Sequence, residues 1–332
     1  MRKDGASCAR LSNCDQRASW PLGMIAAAHA PNPAGPRAPS WIRPVKLSVI
    51  VATHARPDSL GRLCLCLAPQ LRAGERELLI ADNGTLAPSP LPGNAPPLVH
   101  LHDARPGKCR VQNLAIKRAS GEILVFLDDD LTVVGDYLDQ VESFFREHPE
   151  FAAMKGRILA AEDPKLKAGR NWVYLDLPIA DHGDTPIEVR GVLGANMAFR
   201  REVFDRVGLF DERLGPGAAG HEEETEMSRR LSRAGYRIGY APGALAWHEV
   251  DPARADRSRF LRIARERGRC RMLHEEHRSA EVILKNAVAA GRLMLARIFG
   301  ATPERIAREE RRRAVARGML DGLRAGPPHL SE

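Results

Sequence analysis

Ile123-Leu124-Val125-Phe126-Leu127-Asp128-Asp129-Asp130 reads as a buried strand that runs straight into three consecutive carboxylates. Five apolar residues preceded by Ser120-Gly121 suit a strand covered on both faces. Like charges a few ångströms apart repel and raise one another's pKa values, so the triplet calls for a compensating cation. A divalent metal held jointly with a diphosphate supplies one. Mg²⁺ and Mn²⁺ sites commonly take one or two protein carboxylates, and phosphate oxygens and water complete the shell. Strand alternation predicts Asp128 and Asp130 on one face, with Asp129 turned elsewhere. An acidic loop capping the next helix is the other reading of the same residues.

The flanking segments alternate between strand and helix. Residues 45–52 (VKLSVIVA) are β-branched and nearly uncharged, and break at Thr53-His54-Ala55-Arg56. Pro57-Asp58-Ser59 then opens a helix, with the proline suited to its first turn and Leu60, Leu63, Leu67 and Leu71 as its apolar stripe. Residues 77–81 (ELLIA) form a second strand, stopped at Asp82-Asn83-Gly84; the proline-rich stretch 88–97 is loop. A brief third strand at 98–101, a helix at 108–119 and the strand at 122–127 follow. This alternation predicts an α/β fold with a doubly wound, mainly parallel sheet flanked by helices. Ligands of such sheets sit outside the carboxyl ends of the strands, where Thr53, Asp82 and the aspartate triplet converge. Neither the Rossmann nor the P-loop glycine pattern is present, which leaves metal on the aspartates to neutralise a diphosphate.

Several stretches, in order, resemble the motifs of glycosyltransferase family 2: LSVIVATHAR (47–56), LIADNG (79–84), GKCRVQN (107–113), ILVFLDDD (123–130) and GANMAFRR (194–201). EETEMSRRL (223–231) and Trp247-His248 follow in the expected order, so the resemblance spans residues 45–250. It implies a GT-A fold, a nucleotide-sugar donor (a UDP-sugar favoured), Mg²⁺ or Mn²⁺, and inversion at the anomeric carbon. The nucleotide-binding half is expected at 45–130 and the acceptor half at 131–250. By this resemblance Asp82 accepts a hydrogen bond from the imide nitrogen of uracil or thymine, and Thr53 and Arg56 lie against the nucleotide. Asn113 occupies the family's Arg-Asn pair, with Gln112 in the arginine's place. Asp128 faces the ribose or sugar, with Asp129 also on the donor side, and Asp130 with Asp128 ligates the metal. His248 is a third ligand, as in some relatives, or a hydrogen-bonded structural histidine. Asn196 belongs to a loop beneath the donor sugar.

His221-Glu222-Glu223-Glu224-Thr225-Glu226 is the second chemical centre. Acidic residues suit the first turn of a helix, and Met227, Leu231 and the stop at Gly235 outline about three turns. That accounts for Glu222 and Glu226. The family has an acidic pair here whose second member is the catalytic base, a position that falls on Glu224, after Glu223. An acceptor hydroxyl must lose its proton as it attacks C1, and a metal stabilises charge on the departing nucleoside diphosphate. Trp172 and Tyr174 fit an acceptor platform and core packing equally.

The 50 Lys and Arg against 42 Asp and Glu leave a formal charge of +8, and residues 251–332 alone, with 19 basic and 11 acidic residues, also carry +8. The basic excess therefore lies in the tail, which reads as three helices at 257–274, 280–299 and 303–320. Leu284, Ala287, Val288, Gly291, Leu295, Ile298 and Phe299 follow helical spacing. A helical pair packing on the catalytic domain or another subunit explains that stripe. Peripheral contact with an anionic membrane explains Arg311-Arg312-Arg313. No nucleic acid is expected, because aromatic residues for base stacking are scarce in the tail. Residues 1–44, rich in Pro and Ala, are expected to be disordered. The apolar core within 20–30 is short and proline-broken, which argues against a signal sequence. No apolar run is long enough to span a bilayer. Six scattered cysteines fit reduced thiols, so a cytoplasmic location is expected. The sequence thus points to sugar transfer onto a glycan or lipid-linked acceptor in surface polysaccharide assembly. A non-catalytic sugar-nucleotide-binding relative and a metal-dependent nucleotidyltransferase or nuclease are the alternatives.

Overall fold

The computed structural model describes residues 46–72, 74–84 and 98–325. The expectations for residues 1–44 and for the loop at 88–97 lie outside them. Strand β1 (Leu47–Thr53), helix α1 (Pro57–Leu67), strands β2 (Arg76–Asp82) and β3 (Val99–His102), helix α2 (Lys108–Arg118) and strand β4 (Ile123–Asp128) come first. Next are β5 (Leu131–Val133), α3 (Tyr137–Glu147), β6 (Phe151–Ala160), α4 (Pro164–Ala168), β7 (Ile187–Val189) and β8 (Asn196–Arg200). The short helix α5 (Glu202–Val207), helix α6 (Glu223–Arg233) and strand β9 (Arg237–His248) follow. Helices α7 (Arg257–His274), α8 (Ser279–Ile298) and α9 (Pro303–Ala325) form the tail.

Among the described residues the strands make one nine-stranded sheet, ordered β3-β2-β1-β4-β8-β6-β9-β5 with β7 also on β9. The expected parallel arrangement holds for β3, β2, β1 and β4. Beyond β4 the sheet is mixed, because β8 runs antiparallel to both β4 and β6. That reversal sets Asn196, at the start of β8, opposite Leu127 at the end of β4. The loop before β8 is thereby delivered to the carboxyl ends of the parallel strands, and Asp128 N donates to Ala195 O at 3.1 Å.

Strand alternation divides the core between two faces. Val49 and Val51 join Leu60, Leu63 and Leu67 of α1 and Tyr137 and Val141 of α3 on one side. Ile50 turns the other way, toward Val111 and Ala115 of α2, Phe204 of α5 and Met227 and Leu231 of α6. These layers anchor both α2 and α6, whose N-termini bear the site.

The tail forms the three expected helices, and the packing of one of them differs from the sequence expectation. Helices α7 and α9 touch backbone to backbone: a Cβ on Gly268 would overlap the Val315 carbonyl, and one on Gly318 the Arg265 carbonyl. Helix α7 joins the catalytic half through Arg267–Asp176 (2.9 Å) and Arg271–Glu222 (3.1 Å). Tyr174 packs edge-on against Phe260, which favours packing over an acceptor platform for that ring. Among the described residues the apolar stripe of α8 does not pack on the catalytic domain: Leu284, Val288, Leu295, Ile298 and Phe299 are 50–80% exposed. Arg311, Arg312 and Arg313 meet Asp176, Glu309 and Asn286, so their charges are engaged within the protein.

Candidate active site

Strand β4 delivers the aspartates but ends at Asp128, and Asp129 and Asp130 form a turn. The expected strand alternation therefore stops one residue early, and each carboxylate is set by its own partners. Thr53 Oγ1, at the end of β1, donates to Asp129 Oδ2 at 2.7 Å. Arg56 Nη1 bridges Asp129 (3.1 Å) and Asp130 (3.0 Å). Burial pushes the Asp129 carboxyl up, with Thr53 and Arg56 opposing it. Burial also disfavours charge on Asp130, but His248, Arg56 and Arg254 outweigh it and hold that carboxyl well below the usual range.

His248 ends β9, and its Nδ1 lies 2.8 Å from the Glu249 carbonyl oxygen, which can only accept. Nδ1 therefore donates, and in the neutral ring Nε2 carries the lone pair. That Nε2 faces Asp130 Oδ1 at 3.3 Å. Oδ1 is buried and has no hydrogen-bond partner among the described residues. Two acceptors facing each other require a proton or a cation between them. Burial would lower the His248 pKa, yet Asp130 raises it, which is the proton alternative. Donor type, the orphaned oxygen and the carbonyl-fixed tautomer suit a divalent cation at Asp130 and His248; Asp128 does not converge with them, its Oδ1 being held by Lys108.

Helix α2 begins at Lys108, whose Nζ is 2.5 Å from Asp128 Oδ1 and 4.0 Å from Glu223 Oε1. Burial would lower the Lys108 pKa, but Asp128 and Glu223 raise it further, so the ammonium is permanent. Glu223, the first residue of α6, is buried, and burial together with the Glu224 charge pushes its pKa up against Lys108. Glu224 is partly exposed. Glu222, just before them, has φ +77, and Ala55, between His54 and Arg56, has φ +53. These are the two non-glycine residues with positive φ among those described, and both flank the site.

A cleft of about 300 Å³ is lined by Thr53, Arg56, Lys108, Asp128 and Asp129, and closed by Pro216 and Gly217. Gly217 has φ +83, and a Cβ there would lie 2.5 Å from Gly107 N, so the loop before α6 rests directly on the start of α2. Asn83 also lines the cleft, and braces it by accepting from Gly107 N (2.8 Å) and donating to the Asp103 and Arg105 carbonyls.

Other sequence-derived residues sit deeper. Asp82 is buried, accepting from Gly84 N at 2.8 Å with His100 Nε2 3.2 Å away. Asn113 donates to Phe210 O and accepts from Phe210 N, so it secures the segment leading to the loop before α6. Asn196 is a correction: it opens β8 and is fully buried, accepting from Tyr137 and donating to the Arg157 and Ala244 carbonyls. Its amide is committed to the sheet and it does not line the cleft. Sequence reasoning missed Lys108 and Asn83. Both lie inside quoted motifs, and a lysine at a helix N-terminus, where the dipole disfavours it, was the available signal.

Residues 48–208 match the model of Glycosyl transferase family 2. An O-antigen biosynthesis protein of Myxococcus xanthus is 31% identical over 232 residues, 64% of this chain and 18% of that protein. A glucosyl-dolichyl phosphate glucuronosyltransferase of Haloferax volcanii is 23% identical over 159 residues, 46% of this chain and 51% of that protein. The chain thus spans from under a fifth to about half of the length of these relatives. In structure it is similar to a mannosyltransferase from Pyrobaculum calidifontis in complex with GDP-Man and Mn²⁺. The TM-score is 0.54 at 16% identity, covering 91% of this chain and 94% of that one, which gives the GT-A fold.

Proposed function

This chain belongs to glycosyl transferase family 2, and from that premise we propose that it transfers a sugar, with inversion, from a nucleotide-sugar donor to a hydroxyl of a glycan or lipid-linked acceptor. The observation carrying this reading is Lys108, whose ammonium joins the aspartate turn to the acidic start of α6. Carboxylates from distant parts of the sequence thereby meet at one ammonium. The donor diphosphate lies across Lys108, Asp128 and Arg56, and the base stacks toward Asp82. A bound Mg²⁺ or Mn²⁺ supplies charge stabilisation for the leaving diphosphate; Asp130 and His248 are the residues that would hold it. The relative solved with Mn²⁺ supports this cofactor class. As a diphosphate enters, Arg56 exchanges carboxylate partners for phosphate oxygens.

Glu224 takes the acceptor proton in this reading. It is the more exposed of the pair, whereas burial and the Glu224 charge raise the pKa of Glu223. Asn113 and Asn196 act at one remove, holding the loop before α6 and the start of β8. UDP-sugars are the favoured donors, surface polysaccharide assembly is the favoured context, and the tail attaches the enzyme peripherally to a membrane. Calorimetry and hydrolysis assays over UDP- and GDP-sugars test the proposal. Metal-dependent binding with slow hydrolysis is expected, and a chain that binds no nucleotide sugar under any metal condition would overturn it.

A further inference from the structure

An open cleft of about 680 Å³, the arginine cavity, lies between α7, α8 and α9 of the tail. Seven arginines line it against two glutamates, Glu266 and Glu310. Several of the arginines stay half-open to solvent: the Arg262, Arg269, Arg297 and Arg317 side chains are 46–63% exposed. Arg257 and Arg297 pair with Glu310, Arg262 with Glu266, and Arg265, Arg269 and Arg317 with Asp321, so the seven arginines meet three carboxylates and the remaining excess of guanidinium charge suits phosphate oxygens, which accept from the planar fork.

A second feature lies on the same helix. Of the twelve large hydrophobic side chains that are exposed among the described residues, seven fall between Ile283 and Phe299. Leu284, Val288, Leu295 and Ile298 recur at intervals of four, seven and three, one stripe on α8. Val282, Asn286, Ala289 and Ala296 are its buried face. Leu293 and Arg297 line the arginine cavity, so the apolar stripe and the cavity share a helix, with Lys285 and Arg292 exposed on its other flank. The helix has a single carboxylate, Glu281, already 2.7 Å from Lys285.

From this juxtaposition we propose that α8 lies in an anionic phospholipid surface, its apolar stripe among the acyl chains and the arginine cavity on lipid phosphates. The inference deepens the peripheral-attachment part of the proposed function and rests on that part alone. An apolar stripe bordered by cations matches a surface that is apolar inside and negative at its headgroups. A second copy fits less well, because a two-fold contact through this face would bring each arginine edge toward its own duplicate. No helix among the described residues is long and apolar enough to cross a membrane, so the contact is one of lying on the surface.

The test is co-sedimentation of the full chain with phosphatidylcholine vesicles, with and without phosphatidylglycerol. Two double variants, Leu284→Glu with Leu295→Glu and Arg262→Glu with Arg269→Glu, alter exposed side chains only. Donor hydrolysis and light scattering run in parallel. Binding to the anionic vesicles alone is expected, weakened about tenfold or more in each variant, with hydrolysis unchanged. Binding to neither vesicle, or equally to both, overturns the inference. So does a dimer that Leu284→Glu with Leu295→Glu dissociates without any vesicle binding. Hydrolysis reads the catalytic proposal separately, so either idea can fail while the other stands.

Discussion

Lys108 Nζ lies 2.5 Å from Asp128 Oδ1, joining the first residue of α2 to the last residue of β4. Its side chain is 15% exposed and that of Asp128 30%. Removing the ammonium would leave Asp128 without its counter-charge. Lys108→Met should therefore cost about 3 kcal/mol in denaturant unfolding, the low end for breaking a buried pair. It should also weaken donor binding in calorimetry. Unchanged donor affinity would remove Lys108 from the diphosphate site.

The metal reading is tested at Asp130. With Asp130→Asn, or in the presence of a chelator, affinity for a nucleoside diphosphate should fall by about tenfold or more, and His248→Ala should produce a smaller loss. Equal affinity in all these conditions would leave Asp130 and His248 as a purely structural ion pair.

The two glutamates should separate cleanly. Glu224→Gln should reduce turnover by about 10²–10⁴-fold with donor affinity nearly intact. Glu223→Gln imitates the protonated form and should keep most of the activity. The reverse pattern in steady-state kinetics would move the base to Glu223.

Stability should carry the mark of Glu223. Its folded pKa is raised by burial and by the Glu224 charge, while an unfolded glutamate titrates near about 4.3. Between those values the native state holds the extra proton, so stability falls as pH rises through the window, by at most about 1.4 kcal/mol per pH unit. Glu223→Gln should flatten that slope in denaturant midpoints measured across the window. An identical slope in the variant would assign the proton elsewhere.

The glycines of the tail give a packing prediction. At Gly318 a Cβ would strike the Arg265 carbonyl, backbone that cannot step aside as a side chain can. Gly318→Ala should push α9 off α7 at a cost of about 3 kcal/mol. Gly291, with open space around it on α8, should accept Ala without loss.

Much of this protein was legible before any coordinates. The apolar runs at 47–53 and 123–127, each flanked by a helix stripe of period near 3.6, indicate buried parallel strands because alternating helices supply the cover for both of their faces. Their carboxyl ends place Thr53 and the aspartates in one crevice, and the acidic start of α6 is equally local. Tertiary structure decided the rest. Periodicity cannot tell that β8 reverses, and the reversal turns the amide of Asn196, expected in a loop beneath the donor sugar, into the sheet. Nor could strand alternation foresee that β4 stops at Asp128, leaving Asp130 to meet His248 at the end of β9. The pairing of Lys108 with Asp128 spans elements brought together only by the layered core. An apolar stripe on a helix says that something covers it, and only the packing of α7 against α9 through Gly268 and Gly318 reveals that the described residues of this chain do not.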